Sequence, residues 1–93
     1  MLEKEIQSKI TSYLKKNNWM VLNMQLLSLN GLPDLLCLNY NIALWIEVKR
    51  PKKKPTELQK FRHAQLRNFG FTVIVADNLK VVKDYVSQLK IKP

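Results

Sequence analysis

The stretch DLLCLNYNIALWIEVK, residues 34–49, decides the fold. Two apolar runs, 34–38 and 42–49, flank the polar turn 39–41, and this pattern predicts a β-hairpin. Side chains alternate between the two faces of a strand, so Glu47 and Lys49 share one face. If the turn is centred on residue 40, Asp34 lies opposite position 46, whereas a one-residue shift brings Asp34 and Glu47 onto the same face. The sequence leaves both registers open.

Periodic segments on either side of the hairpin complete an α/β pattern. Apolar residues at helical spacing predict helices over 2–16, 56–69 and about 79–90. Thr56 is expected to cap the second helix in a capping box with Gln59, and Gly70 is expected to end it. β-Forming residues predict further strands over 19–27 and 71–76. The predicted order is α-β-β-β-α-β-α, and a helix between two strands implies a parallel pair in a mixed sheet.

Length and composition predict a single domain over residues 1–93. No linker, repeat or low-complexity segment divides the chain, and 93 residues cannot support two cores. The formal charge of +9 favours a polyanionic partner, with nucleic acid first and an anionic membrane surface second. The lone Cys37 excludes an internal disulfide and a cysteine-based zinc site, so a reducing cytoplasm is the expected setting. Apolar stretches are too short for a membrane span, and no signal peptide is expected.

The hairpin brings together residues that suit phosphodiester chemistry. Two carboxylates at close range, here Asp34 and Glu47, repel each other unless a cation separates them. Mg²⁺ is commonly held by one or two carboxylates together with substrate phosphate, and it can activate a water for hydrolysis. Lys49 beside the ion would orient the water or neutralise developing charge. Five of the six residues in 49–54 are basic, and this run would hold a phosphate backbone.

These residues also carry a resemblance to a known family. Pro33-Asp34 followed by Glu47-Val48-Lys49 resembles the PD-(D/E)xK signature of restriction-endonuclease-like nucleases. The surrounding segments 31–35, 45–51, 56–59, 62–71 and 2–7 resemble the VRR-NUC (virus-type replication-repair nuclease) family, in the same order over nearly the whole chain. The resemblance implies a stand-alone, phage-type domain with a restriction-endonuclease-like mixed sheet flanked by helices.

The resemblance also assigns roles to individual residues. The implied catalytic residues are Glu3, Asp34, Glu47, Lys49 and Gln59. The implied metal ligands are Asp34, Glu47, the Val48 backbone carbonyl and Glu3, the last directly or through a water, with Mg²⁺ as the cofactor and Mn²⁺ as its substitute. The residues expected to bind DNA are Arg50, Lys52, Lys53 and Lys54.

The first helix offers two glutamates for the family's helical carboxylate. At 100° per residue, Glu3 lies about 50° from the centre of the apolar stripe and Glu5 about 110°. Glu3 also stands three residues before Ile6, which matches the family pattern better. We therefore choose Glu3 and keep Glu5 as the alternative.

Other residues have simpler interpretations. His63 shares a helical face with Gln59, but carboxylates and a lysine need no histidine, so a surface or DNA-contact position is favoured. Cys37 is expected in the core. Trp19, Trp45 and Tyr40 could stack on bases, but packing in the core or in a dimer interface is favoured. The apolar loop 26–32 suggests a subunit interface or a flap over DNA.

The sequence therefore predicts a Mg²⁺- or Mn²⁺-dependent DNA endonuclease that hydrolyses phosphodiester bonds. The family resemblance implies branched DNA such as four-way (Holliday) junctions as substrate and a homodimer as the working form, with no membrane and no nucleotide cofactor. If a phage encodes the chain, the expected location is the host cytoplasm. The alternative is a non-catalytic nucleic-acid-binding module on the same fold, which the charge of +9 would serve equally well.

Overall fold

The protein is described here over residues 1–91 by a computed structural model with three α-helices, four strands and one 3₁₀ turn. The element order confirms the predicted α-β-β-β-α-β-α pattern. The elements are α1 (Glu3–Lys16), β1 (Met20–Asn23), β2 (Leu35–Asn39), β3 (Ile42–Val48), α2 (Glu57–Asn68), β4 (Thr72–Ala76) and α3 (Leu79–Ser87).

The four strands form one mixed sheet in the order β1-β2-β3-β4. The pairs β1–β2 and β2–β3 are antiparallel, and β3–β4 is parallel. Parallel neighbours need a long crossover, because a tight turn can join only antiparallel strands. Helix α2 supplies this crossover, so the mixed α/β sheet predicted from the sequence is confirmed.

The hairpin between β2 and β3 turns on two residues, Tyr40 and Asn41. Asn39 pairs with Ile42, and this register continues along the strands. Tyr40 itself takes the left-handed conformation, with φ of +52°, although an asparagine is the residue expected there. Of the two registers left open by the sequence, the shifted one is formed. Its continuation beyond β2 places Asp34 opposite Glu47.

The prediction of one strand over residues 19–27 is wrong in its second half. Strand β1 ends at Asn23, and Met24–Leu26 form a 3₁₀ turn. The Asn23 side chain accepts a hydrogen bond from the Gln25 N–H at 2.9 Å. Asparagine side chains compete in this way with strand hydrogen bonding, so the chain bends here. The Met24 N–H then donates to the Asp34 carbonyl at 2.8 Å, which ties the turn to the start of β2.

Helices cover both faces of the sheet and enclose its central strand. On one face, residues of α1 and α3 pack against alternate residues of β2, β3 and β4; this core includes Ile6, Ile10, Leu14, Leu35, Cys37, Leu44, Ile46, Val48, Ala76 and Val82. On the other face, α2 packs against β4 and β3. Residues 44–49 are therefore buried on both sides. A polar side chain on the α2 face of β3 has to find its partners inside the protein.

The ends of the helices follow the residues that the sequence singled out. Thr56 caps α2 by accepting from the Gln59 N–H at 3.2 Å. Gly70, with φ of +94°, follows the C-terminus of α2 and allows Phe71 to donate back to Leu66. Helix α3 is shorter than predicted and ends at Ser87. Within residues 1–91, no helix is both long and apolar enough to cross a membrane.

Candidate metal and nucleic-acid site

Two acidic residues and a lysine meet where β2 begins and β3 ends. Asp34 directly precedes β2 and lies opposite Glu47 in the continued register. Glu47 and Lys49 project from the same face of β3 and are 1% and 6% exposed. The Lys49 Nζ lies 3.8 Å from Glu47 Oε2. The structure thus brings Asp34, Glu47 and Lys49 together, as the shifted register requires.

A proline opposite the end of β3 shapes the backbone of the site. The continued register places Pro33 opposite Val48, and proline has no N–H to donate. The Val48 N–H instead donates to Asp34 Oδ2 at 2.8 Å. The N–H and C=O of a strand residue point toward the same neighbouring strand, so the Val48 carbonyl also points toward Pro33. Pro33 has no N–H to donate to this carbonyl. It can therefore serve as an oxygen ligand.

Helix α2 supplies two hydrogen-bond partners to the buried Glu47 carboxylate. Gln59 Nε2 donates to Glu47 Oε2 at 3.3 Å, and His63 Nε2 lies 3.3 Å from Glu47 Oε1. Gln59 also accepts from the Thr56 N–H through Oε1 at 2.9 Å, which closes the predicted capping box. The same Gln59 side chain therefore fixes the start of α2 and contacts the site.

The position expected for His63 is wrong. This side chain is 2% exposed and lies against Glu47, neither on the surface nor at a DNA contact. The sequence did contain the relevant signal, because residues four apart share a helical face and Gln59 was already expected near the site. The sequence interpretation favoured the surface for His63 over a position near the site, and the structure shows the position near the site.

Electrostatics in the site disfavour two charged carboxylates without a cation. Burial, with a smaller contribution from the adjacent Glu47, raises the pKa of Asp34 to about 6 against the lowering effects of the Val48 N–H and Lys49. Two neighbouring carboxylates repel each other when both are charged, and this disfavours ionisation of Asp34. A bound cation would remove this penalty.

The oxygen donors fit Mg²⁺ or Mn²⁺. The carboxylates of Asp34 and Glu47 and the carbonyl of Val48 are hard ligands, which these ions prefer. Within residues 1–91, no group of three or more His, Cys, Asp and Glu side chains is placed to hold a metal. Mg²⁺ does not need such a group, because it usually binds through one or two carboxylates, retained waters and substrate phosphate.

Glu3, and not Glu5, faces the site. Glu3 is half-buried and lines a cleft of about 400 Å³ together with Asp34, and its Oε1 accepts from the Arg50 N–H at 3.3 Å. Glu5 is exposed, and its carboxylate accepts from the Leu2 N–H at 3.5 Å at the start of its own helix. The helical-wheel argument for Glu3 thus agrees with the geometry.

The basic residues that follow Lys49 form an exposed loop beside the site. Its residues Arg50, Pro51, Lys52, Lys53 and Lys54 line an open cleft of about 480 Å³. Lys52 has φ of +71°, so the chain turns sharply here, and all four basic side chains are exposed. The loop is tied to α1 through the hydrogen bond between the Arg50 N–H and Glu3. Positive charge therefore lies directly beside the carboxylates.

The segment between the 3₁₀ turn and β2 packs over α2. Arg62 Nε donates to the Asn30 carbonyl at 3.0 Å. Gly31, with φ of +86°, approaches α2 so closely that a Cβ atom there would lie 2.8 Å from Leu58 Cγ. Before this contact, Leu26 and Leu27 are largely exposed. The segment therefore anchors Asp34 at one end and presents an apolar surface at the other.

Cys37, Trp19 and Trp45 lie in the interior, as expected for packing residues. Tyr40 does not lie in the core, because it occupies the hairpin turn and is 65% exposed. Burial raises the pKa of the Cys37 thiol to about 12. The thiolate is the reactive form of cysteine, so this side chain is chemically inert at neutral pH.

Comparison with proteins of known structure shows what this fold resembles. No protein-family model matches the sequence, and no curated protein sequence matches it. One similar solved structure, described as a VRR_NUC domain, has 24% sequence identity and a TM-score of 0.84 and covers 95% of this chain and 97% of its own. Another, described as a VRR_NUC domain protein, has 21% identity and a TM-score of 0.73 over 95% of this chain and 87% of its own. The chain therefore has the fold of VRR_NUC domains, which confirms the restriction-endonuclease-like fold that the sequence resemblance implied.

Proposed function

We propose that this protein is a metal-dependent DNA endonuclease that hydrolyses phosphodiester bonds. The observation that carries the proposal is the convergence of Asp34, Glu47 and Lys49 at one end of the sheet, beside an exposed basic loop. The two neighbouring structures are named as VRR_NUC domains, and this agrees with a nuclease. Similarity of fold alone would not justify assigning this activity, because one fold can carry many functions.

The carboxylates of Asp34 and Glu47 and the carbonyl of Val48 would hold Mg²⁺ or Mn²⁺, with Glu3 contributing directly or through a water. When bound, such an ion polarises the phosphodiester and lowers the pKa of an attacking water. Asp34 is anchored for this role at Oδ2 by the Val48 N–H. Glu47 is held from the α2 side through both of its oxygens.

Lys49 would act on the phosphate and on the attacking water. Its ammonium group is buried next to Glu47, so its charge is little screened by solvent. A fixed positive charge at this point stabilises the negative charge that develops on phosphate oxygens in the transition state. Arg50, Lys52, Lys53 and Lys54 would bind the DNA backbone on the adjacent surface.

Structured DNA is the proposed substrate class, with four-way junctions as the first candidate, by analogy with the resembled family. Symmetric cutting of a junction needs two active sites, and a C2 homodimer would supply them. The exposed apolar side chains of Leu26 and Leu27 support an additional interface. A reducing cytoplasm, that of the host if a phage encodes the chain, is the proposed setting because the single cysteine forms no internal disulfide.

A cleavage assay tests the proposal. Purified protein is incubated with labelled duplex, single-stranded, flap and junction DNA in Mg²⁺, Mn²⁺ or EDTA. We expect cutting with either metal, none in EDTA, and none by Lys49→Ala, whose DNA binding should persist. The absence of cutting on every substrate with both metals would overturn the enzyme proposal.

A non-catalytic DNA-binding module is the second candidate, and the basic loop favours it equally. Such a module would bind DNA with the same affinity in Mg²⁺ and EDTA and would not respond to Asp34→Asn. An endonuclease instead loses cutting in Asp34→Asn and keeps or tightens binding, because a carboxylate no longer repels the phosphate. Gel-shift and cleavage measurements on the same samples separate the two.

A further inference from the structure

The buried histidine of α2 contacts Glu47, one of the carboxylates assigned to the metal. His63 lies in the middle of α2, one turn after Gln59, and 2% of its surface is exposed. Its Nε2 is 3.3 Å from Glu47 Oε1. In the tautomer that carries its proton on Nε2, the imidazole donates this hydrogen bond to the carboxylate.

Two residues of α2 each contact one oxygen of the Glu47 carboxylate. Gln59 donates to Oε2 and His63 to Oε1, each at 3.3 Å. Because Gln59 and His63 are four residues apart, a single helical face presents both donors. Contacts to both oxygens fix the plane of the carboxylate, whereas one contact would let it rotate about χ3.

The contacts to both oxygens matter because the Glu47 carboxylate is buried. A carboxylate that is 1% exposed cannot be oriented by bulk water, so its direction is set by the protein groups around it. Lys49, at 3.8 Å, contributes charge to the Oε2 side but no close hydrogen bond. Among residues 1–91, His63 is the hydrogen-bond partner of Oε1. Removing it frees one end of the carboxylate.

We propose that His63 is a positioning residue that holds Glu47 in its metal-binding orientation. The inference rests on the proposed function, since it assigns Glu47 to a metal site. Hydrogen bonds to ligating carboxylates orient these ligands, and loss of such a partner typically costs about 10–100-fold in metal affinity or activity. The alternative is a histidine that only fills space between α2 and the sheet.

Three variants distinguish positioning from space filling. His63→Leu keeps an apolar volume but removes the donor, and His63→Gln keeps an N–H donor that can reach the same place. Val73→Ala is the matched control, because Val73 is buried beneath α2 on β4 and its loss weakens packing alone. Thermal melting of each protein shows how much of any effect is general destabilisation.

The main readout is Mn²⁺ binding to the DNA-free protein, measured by titration calorimetry. We expect His63→Leu to weaken Mn²⁺ binding about 10–100-fold, His63→Gln to restore most of it, and Val73→Ala to leave it near wild type. In cleavage assays, His63→Leu should lower kcat while KM for DNA stays nearly constant. Equal Mn²⁺ affinity in His63→Leu and wild type would overturn the positioning role.

A second measurement on the wild-type protein covers the case that His63→Leu does not fold. Nitrogen NMR of the imidazole should show a proton on Nε2, and a neutral ring protonated only on Nδ1 would overturn the inference. The two proposals also fail separately. Mn²⁺ binding that needs His63 without any DNA cutting refutes the endonuclease alone, whereas metal-dependent cutting unaffected by His63→Leu refutes positioning alone. A wild-type protein that binds no Mn²⁺ refutes both.

Discussion

Replacing Asp34 by asparagine should stabilise the metal-free protein while abolishing cleavage. The Asp34 carboxylate accepts from the Val48 N–H at 2.8 Å, and an amide oxygen in the variant can accept the same bond. The variant loses only the charge that burial and the nearby Glu47 make unfavourable. Stability and activity should therefore change in opposite directions.

The size of the effect follows from the pKa of Asp34. The difference between its ordinary value of 3.8 and about 6 in the folded protein corresponds to about 3 kcal/mol at neutral pH. Solvent still reaches part of this carboxyl group, so the expected gain in unfolding free energy is about 1–2 kcal/mol. For a domain of this size, that gain raises Tm by about 5–10 °C.

The sign of the pH dependence provides the sharper test. Below pH 3.8 the side chain is protonated in both the folded and the unfolded states, so the variant has no advantage from charge. As pH rises to about 6, the wild-type folded state must give up a proton that it binds more tightly than the unfolded chain does, and its stability falls. The difference in Tm between Asp34→Asn and the wild type should therefore grow between pH 4 and 6 and stay constant at higher pH.

Thermal melting in EDTA from pH 4 to 8 measures this difference. Asp84→Asn is the control, because Asp84 is exposed in a surface pair with Lys80 and its loss should change stability by less than about 0.5 kcal/mol. Addition of Mg²⁺ should raise the Tm of the wild type and have little effect on Asp34→Asn. An Asp34→Asn protein that is less stable than wild type by the same amount at every pH would refute the reasoning.

Three further predictions follow from the same geometry. Lys49→Met should lower the cleavage rate about 100-fold or more while leaving DNA affinity within a few-fold, measured by single-turnover kinetics, and an unchanged rate would remove Lys49 from the mechanism. Exchange of Lys52, Lys53 and Lys54 for glutamine should reduce the slope of log affinity against log salt by about 2.7 for duplex DNA, and an unchanged slope would place the DNA elsewhere. Gly31→Ala should cost about 2 kcal/mol or more in unfolding free energy, because a Cβ atom there would lie 2.8 Å from Leu58 at a φ of +86°. Gly70→Ala is its control, since φ is similar at +94° but nothing lies within 4 Å, so the two variants should differ in denaturant midpoint.

Local sequence patterns were sufficient to predict most of the fold. The spacing of apolar residues located α1, α2 and α3, and capping at Thr56 and the stop at Gly70 were both formed as predicted. These features depend on residues within one or two turns of each other, which the sequence displays directly. The exception is residues 19–27, where the side chain of Asn23 ended the strand that β-forming neighbours favoured.

Long-range features were harder to predict because distant contacts set them. The alternation of apolar residues was compatible with both hairpin registers. The register that is formed has a left-handed backbone at Tyr40 and brings Asp34 opposite Glu47. His63 was misplaced although it shares a helical face with Gln59, because the burial of that face depends on how α2 packs against the sheet.

The sequence by itself determined the kind of chemistry this protein can support. It placed Glu47 and Lys49 on one face of a strand, put a proline and an aspartate before the preceding strand, and followed the site with positive charge. Helical spacing also favoured Glu3 over Glu5, and the structure agrees. Only the tertiary structure decided how these groups meet and that a histidine contacts Glu47. The physical reason is that alternation and helical spacing depend on neighbouring residues, whereas register, burial and hydrogen-bond partners depend on how separate elements pack.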